Sequence, residues 1–354
     1  MTTPENRKIT FPAEWEPQDA VVLAWPHQDT DWQPVLAEVQ QTYLNIIQQI
    51  TRFEHVVLLV RTEAEYETIS ILIRDKQIDP GKIIPIFAEY NDTWLRDTGP
   101  LTVKINRHYQ FRDYRFNGWG NKFEHALDDQ LCEQLLKHPA LSDNETHKSN
   151  IILEGGSIDT DGRGVLLTTS QCLLNPNRNP SMRMQDYKKL FASDLGITTL
   201  HWLQHGEIFG DDTDGHIDML ARFCSPTIIA CCSCTDSGDP HYQPLQMMRK
   251  ELEGLTDPDG EPYQLIELPI PGAIMDQENN RLPASYCNFL IINQAVLVPV
   301  YSDPNDELAC ASLAEVFPDR EIIPIDARSI IKQGGSLHCL TMQLPTGCLS
   351  QAWK

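Results

Sequence analysis

Long hydrophobic runs are missing from this sequence. No stretch of its 354 residues approaches the ~20 consecutive apolar residues that cross a bilayer, so no transmembrane helix is expected. The opening MTTPENRKITFPAEWEPQD has no apolar core of the kind a secretory signal needs, and a cytoplasmic protein is the expectation. Positive charge is scarce: 28 Lys and Arg stand against 50 Asp and Glu, a net charge of −22. Such a field repels nucleic acid and anionic membrane surfaces and draws small cations, although it also serves plain solubility. Ten cysteines are too few for a disulfide scaffold in a chain of this length, and several lie in apolar runs such as IIACCSC at 228–234, as reduced thiols would. The G-x-S-x-G, GxxxxGK[ST], HExxH and GxGxxG patterns are all absent. Cys231 and Cys234 make a C-x-x-C without a second pair, which leaves zinc unsupported.

What remains is an ordinary globular composition, 41% hydrophobic and 22% charged, arranged as short apolar strands alternating with amphipathic helices. Strands are expected at 19–26, 55–60, 82–88 and, paired, at 101–105 and 109–116. The spacing of Val35, Val39, Tyr43, Ile46, Ile47 and Ile50 predicts a helix over 32–53, and 63–75 reads as another. Residues 150–169 read as one hairpin with its turn at 161–164, and 182–195 as a helix. Strands follow at 215–223, 227–234, 263–269, 289–301 and 321–326, with helices over 240–254 and 306–316. Residues 334–343 run from a glycine turn into a strand or short helix. At least four strand–helix–strand units can be counted. No linker of low complexity separates them, so 1–354 is read as one compact α/β domain.

Four segments carry the candidate chemistry. In GGSLHCLTMQ, two glycines permit a tight turn that presents Cys339, and a thiolate is a strong nucleophile once its proton is drawn off. An inert buried cysteine is the bland reading. His338 points away from Cys339 if the segment is extended, which makes it a poor base for that thiol. GDDTDGHIDMLARF gathers Asp211, Asp212, Asp214, His216 and Asp218. In a strand His216 and Asp218 share a face, a proton shuttle beside a cation anchor. The acids do not fit the calcium-loop template, and a water-facing acidic loop is the plain alternative. NDTWLRDTGP offers Trp94 as an aromatic face for a cation and Asp97 as a forked acceptor for a guanidinium, although Arg96 and Asp97 could also form a surface ion pair. In ILEGGSID, Glu154 ends an apolar run, where a carboxylate needs a partner. Trp119, between glycines in FNGWG, is another candidate aromatic wall. NPNRNP at 175–180 reads as turn chemistry only.

Together these segments resemble the agmatine deiminase family, which is related to bacterial-type peptidylarginine deiminases. PAEWEPQDAVVLAWPH, CLLNPNRNP and LPASYCNF agree, and the likeness runs from about residue 10 to 345 in the family's order. The resemblance implies a five-bladed α/β propeller with pseudo-fivefold symmetry, the pentein fold, around a central site. It implies that Cys339 attacks a guanidinium carbon and that His216 protonates the leaving ammonia and then activates water. Asp97 and Asp218 would grip the guanidinium nitrogens, and Glu154 would position His216 or hold the guanidinium too. Trp94, Trp119 and Asp212 would line the channel for the substrate's tail. No metal and no organic cofactor would be required, the partner would be a small cationic guanidine, and a homodimer is compatible. Met219-Leu220 after GHID and GGSLHC in place of a triple glycine depart from familiar members and bear on tail specificity. Besides agmatine, a peptide's C-terminal arginine and a non-catalytic role in binding polyamine-like cations remain alternatives.

Overall fold

The computed structural model describes residues 8–106 and 108–354. Its strands fall into five sheets, and one pattern recurs in each. A first strand pairs antiparallel with a second. The chain then crosses over, and a third strand lies parallel to the second, as a crossover demands. The units pair Leu101–Ile105 with His108–Arg115 and Glu145–Ile152, then Ile158–Thr160 with Val165–Thr169 and Thr199–Leu203. Next come Ala221–Ser225, Ile228–Ser233 and Gln264–Pro269, followed by Leu290–Ile292, Ala295–Val300 and Glu321–Asp326. The crossovers carry the helices Leu131–Leu136, Met184–Asp194, Tyr242–Glu253 and Asp306–Val316 in turn.

The fifth unit is assembled from both ends of the chain. Met342–Pro345 pairs antiparallel with Gln18–Ala24, which runs parallel to His55–Val60 after the helix Leu36–Ile50. Ile83–Phe87 adds an outer strand after the helix Glu63–Asp75. The second strands Val165–Thr169, Ile228–Ser233 and Ala295–Val300 are buried almost throughout, as strands covered on both faces should be, whereas His108–Arg115 is only partly buried. Leu36–Ile50 buries Val39, Tyr43, Ile46, Ile47 and Ile50, the stripe its spacing predicts. Glu63–Asp75 starts where the Thr62 side chain accepts the Glu65 N–H and ends with Arg74 in its last turn, so caps and helix dipole agree.

Three expected elements differ. Residues 150–152 finish the strand Glu145–Ile152 in one sheet, while the hairpin 158–169 belongs to the next, with Glu154-Gly155-Gly156 crossing between them. The stretch 215–223 is a 3₁₀ turn, Ile217–Met219, before a strand that starts at Ala221, because the acidic loop enters the sheet through a bend. Residues 289–301 fold back at Asn293-Gln294 into two antiparallel strands, with Gln294 in the left-handed region. The strand Thr199–Leu203 was not foreseen. Among the described residues no helix is long and apolar enough to cross a membrane.

The repeated topology fixes where chemistry can gather. Each unit is entered through a short irregular segment just before its first strand. Those segments carry Asp97, Gly156, His216 with Asp218, Asn288 and Cys339, one per unit.

Candidate active site

Cys339 lies in the turn ahead of Met342–Pro345, at the base of a cavity of about 220 Å³. Trp94, Asp97, Trp119, Asp212 and His216 line the same cavity. Asp218 and Glu154 have no exposed surface and stand behind its wall. Backbone contacts weld the entering segments together: the Arg96 N–H donates to the Cys339 carbonyl at 3.1 Å. The Asn288 Oδ1 accepts from the His338 and Cys339 N–H groups at 3.0 and 3.3 Å. That fixes the orientation of the amide, so its Nδ2 faces the Cys339 Sγ at 3.1 Å.

Gly156 explains how the acids come so close. Its N–H donates to Asp97 Oδ1 at 2.8 Å, and Trp119 Nε1 donates to Asp97 Oδ2 at 3.0 Å, so the carboxylate is oriented on both oxygens. His216 Nδ1 lies 3.7 Å from Asp97 Oδ1. Asp218 Oδ2 lies 3.6 Å from the Cys339 Sγ. Both His216 ring nitrogens and Asp218 Oδ1 are buried without a hydrogen-bond partner among the described residues. Orphaned buried polar atoms are costly and call for a partner; Asp218 lies against the Cys339 sulfur, while His216 has the Cys172 thiol beside it. Gly335 is needed for a second close approach: a Cβ there would stand 2.4 Å from the Trp94 ring.

The electrostatics separate the two aspartates. Burial pushes Asp97 above the ordinary carboxylate value, with the nearby His216 charge working against it. Burial works the same way on Asp218, but the His338 hydrogen bond and charge, then His216 and Arg222, hold it below its usual value. Burial disfavours a charge on His216, yet Asp97 foremost among its neighbours keeps the imidazole well above its usual value. The Cys339 thiol is pushed well up by burial and then by Asp218 and Asp97. These directions favour a thiol at Cys339, an imidazolium at His216 and an ionised Asp218.

Glu154 stands beside His216, the two offering polar atoms within 4.8 Å of each other, and it is held from behind. Both its oxygens accept from Arg178 Nε, at 2.8 and 2.9 Å, and the pair is wholly buried. Arg178 also reaches Asp214 Oδ2 at 2.7 Å and the Thr213 carbonyl at 2.9 Å, so it ties Glu154 to the acidic loop ahead of His216. The sequence reading gave NPNRNP no part in the site; a lone arginine in a turn carries no signal of that kind. Asn288 was also passed over, although it stands in LPASYCNF. Glu154, Cys172 and His216 could each bring one ligand atom to a common point. With both Glu154 oxygens engaged by Arg178, that trio is poorly disposed toward a metal. At the cavity mouth, Asp92 is pushed up to about 8 and Asp212 to about 6, in each case mainly by burial. Two cations also line the cavity, but Lys332 is paired with Glu38 and Arg281 with Asp239.

Known proteins match nearly the whole length of this chain. The Porphyromonas-type peptidyl-arginine deiminase family matches residues 10–345. Agmatine deiminase of Pseudomonas putida is 33% identical over 97% of both chains, and that of Ectopseudomonas mendocina is 33% identical over the same share. Among solved structures, a cysteine-to-serine agmatine deiminase of C. jejuni with substrate bound superposes with a TM-score of 0.90. It is 37% identical and covers 98% of this chain and 99% of its own. An amidinotransferase from Microseira wollei shares the fold alone, at 12% identity and a TM-score of 0.50 over 97% and 99% of the two chains. The five units are those of the pentein fold. The chain belongs to the Porphyromonas-type peptidyl-arginine deiminase family and is an enzyme of the agmatine deiminase type within it.

Proposed function

We propose that this enzyme hydrolyses agmatine to N-carbamoylputrescine and ammonia through a covalent adduct on Cys339. One observation carries the reading: Cys339, His216 and Asp97 line one buried acidic cavity with Asp218 directly behind the sulfur, and the His216 ring nitrogens and Asp218 Oδ1 lack a hydrogen-bond partner among the described residues.

A guanidinium entering the cavity would donate to Asp218 Oδ1 and to Asp97, which are fixed from behind. That grip aligns its planar carbon with the sulfur and supplies the proximity term, worth several orders of magnitude in rate. The same positive charge cancels the two acids that hold the Cys339 proton, and the thiol loses it to solvent. The thiolate adds to the guanidinium carbon. His216 gives its proton to one nitrogen, which leaves as ammonia, and a thiouronium on sulfur remains. Neutral His216 then takes a proton from water as the oxygen adds to that carbon. Collapse expels the thiolate and yields the urea; the second proton goes to solvent, where ammonia takes it up. Asp97 and Asp218 serve both half-reactions, because the carbon keeps a cationic amidine between them. Glu154 acts from beside His216, and it also holds Arg178 and through it the loop that presents that histidine.

The tail of the substrate meets Trp94, Trp119, Asp92 and Asp212, which suit the ammonium of agmatine. A C-terminal carboxylate would need a free cation there, and both cations on the wall already have acidic partners. The C. jejuni relative with its substrate bound supports the same choice. Incubation with agmatine, free arginine and a peptide ending in arginine decides it. Ureido product should form from agmatine at least about a hundredfold faster in kcat/KM than from the others, as expected when a buried charge is left unpaired. Cys339→Ser should release no ammonia. Turnover that survives in Cys339→Ser, or a peptide as the better substrate, would refute the reading.

A further inference from the structure

His338 stands next to the nucleophile in sequence but outside the cavity, over a separate void of about 30 Å³ that Glu14, Arg96 and Asp159 also line. Its segment, expected to run from a glycine turn into a strand or short helix, is a turn, and the ring lines this void and not the cavity of the Cys339 sulfur. It points at two carboxylates. Nδ1 lies 2.8 Å from Asp218 Oδ2, and Nε2 lies 2.7 Å from Glu14 Oε2. An ionised carboxylate only accepts, so with both acids ionised both ring nitrogens must donate and the ring is a cation between two anions.

Glu14 is itself anchored. Its Oε1 accepts the Ile291 N–H at 2.6 Å and its Oε2 accepts Arg222 Nη2 at 2.6 Å, with Arg96 Nη2 3.7 Å away. Arg222 continues to Asp159 Oδ1 at 3.2 Å and to the Phe289 carbonyl. Signs therefore alternate from the cavity wall inward: Asp218, His338, Glu14, Arg222, Asp159. Glu14, His338, Asp218 and Arg222 are all less than a tenth exposed. At the other end of this stack, Asp218 Oδ2 is occupied by His338 and Oδ1 has no partner.

We propose that His338, braced by Glu14, is a positioning residue for Asp218, fixing its rotamer and its negative charge so that Oδ1 alone is left to receive the substrate's guanidinium. This rests on the guanidine-hydrolase reading above for its kinetic consequence, but not for its physical content. Without the imidazolium, a carboxylate this buried would take up a proton in the empty site. The other groups that face Asp218 do not replace it. His216 and Arg222 add charge without a hydrogen bond, the Cys339 thiol offers Oδ2 only a long contact of 3.6 Å, Asp97 opposes ionisation, and Arg96 is committed to Gln343 and the His338 carbonyl.

His338→Asn tests this directly, because it keeps a donor toward Asp218 but removes the charge and the reach to Glu14. With agmatine, kcat/KM at pH 6 should fall on the order of 100-fold, largely through KM, as when one partner of a buried charged pair is lost. The acid limb of the profile should move to higher pH, because Asp218 now needs more alkaline solution to ionise, and activity should recover toward pH 9. Adding Asp218→Asn should cause little further loss beyond Asp218→Asn alone. Urea unfolding of the wild type, the two single variants and the double variant supplies a readout without substrate. The two substitutions should be non-additive by about tenfold or more in the unfolding constant. An acid limb that stays in place, or a loss equal at every pH, would make His338 a mere strut and overturn the proposal, as would additive unfolding. Should the wild type leave agmatine untouched, the proposed function falls while the unfolding cycle still decides this one.

Discussion

A Cβ on Gly156 would stand 2.6 Å from His216 Nδ1, 2.8 Å from Asp97 Oδ1 and 3.1 Å from Asp218 Oδ2. Gly156 lies outside the positive-φ region, so it is there for space, not for backbone freedom. Gly156→Ala should therefore fold, with an overpacking cost of about 1–3 kcal/mol. Its kcat/KM should nevertheless drop about 100-fold or more, because displacing reacting groups by even 1 Å costs that much. Thermal melting beside steady-state kinetics checks both halves, and wild-type turnover in this variant would show that the convergence at Gly156 is not the reacting geometry. The acids at the cavity mouth make a second residue-level prediction. A carboxyl raised to about 6 at Asp212 and about 8 at Asp92 is neutral below those values and ionised above them. An ammonium tail is held only by the ionised form. KM for agmatine should therefore fall as pH rises from 5 to 8, while KM for an alkylguanidine of equal length with no terminal amine should change far less. Parallel pH profiles for the two compounds would remove Asp92 and Asp212 from tail recognition.

At the scale of elements, what could be read from the sequence had a period. The strand at 55–60 and the helices at 63–75 and 306–316 fall where apolar spacing put them, because each is one regular element with a buried face. The entering segments have no period. Each is a few residues of bend or 3₁₀ turn, and that is where the site sits. Treating 215–223 as a strand brought His216 and Asp218 together by alternation; they do meet at one cavity wall, but through a turn that bends both toward Gly156. Arg178 and Asn288 could not be found by local pattern at all. Arg178 acts across 24 residues on Glu154, and Asn288 across 51 on Cys339. A signal for Asn288 did exist: a polar or nucleophilic residue just ahead of the first strand recurs in four of the five units, at Asp97, at His216 with Asp218, at Asn288 and at Cys339. It becomes visible only once the units are aligned on their hairpins, and the sequence has no fixed repeat to align them by. The chemistry-bearing segments were legible because they join rare residue types, Cys, His, Trp and acids, to glycine turns.

For the molecule as a whole, the entering segments all reach one centre because five like units close into a ring, and the ring is closed by the strand that follows the nucleophile. Met342–Pro345 begins three residues after Cys339 and pairs with Gln18–Ala24 near the other end of the chain. Closure and placement of the sulfur are thus one event. Glu14, four residues before that partner strand, joins the same closure to Asp218 through His338. The consequence can be separated from general stability by comparing two positions in one sheet and one core cluster. Leu344 is fully buried in the closing strand, and Ile86 is almost fully buried in the outermost strand of the same sheet. Truncating either to alanine should cost about 2–5 kcal/mol in urea unfolding, the usual range for a buried aliphatic side chain. Their effects on catalysis should diverge. Leu344→Ala loosens the strand that carries Cys339 and should lower kcat at a temperature where the protein remains folded. Ile86→Ala loosens the opposite edge of that sheet, in a strand that is not joined to the Cys339 turn, and should leave kcat as it is. If both variants keep the wild-type kcat, or both lose it equally, the nucleophile is held by its local turn alone and ring closure has no part in its placement.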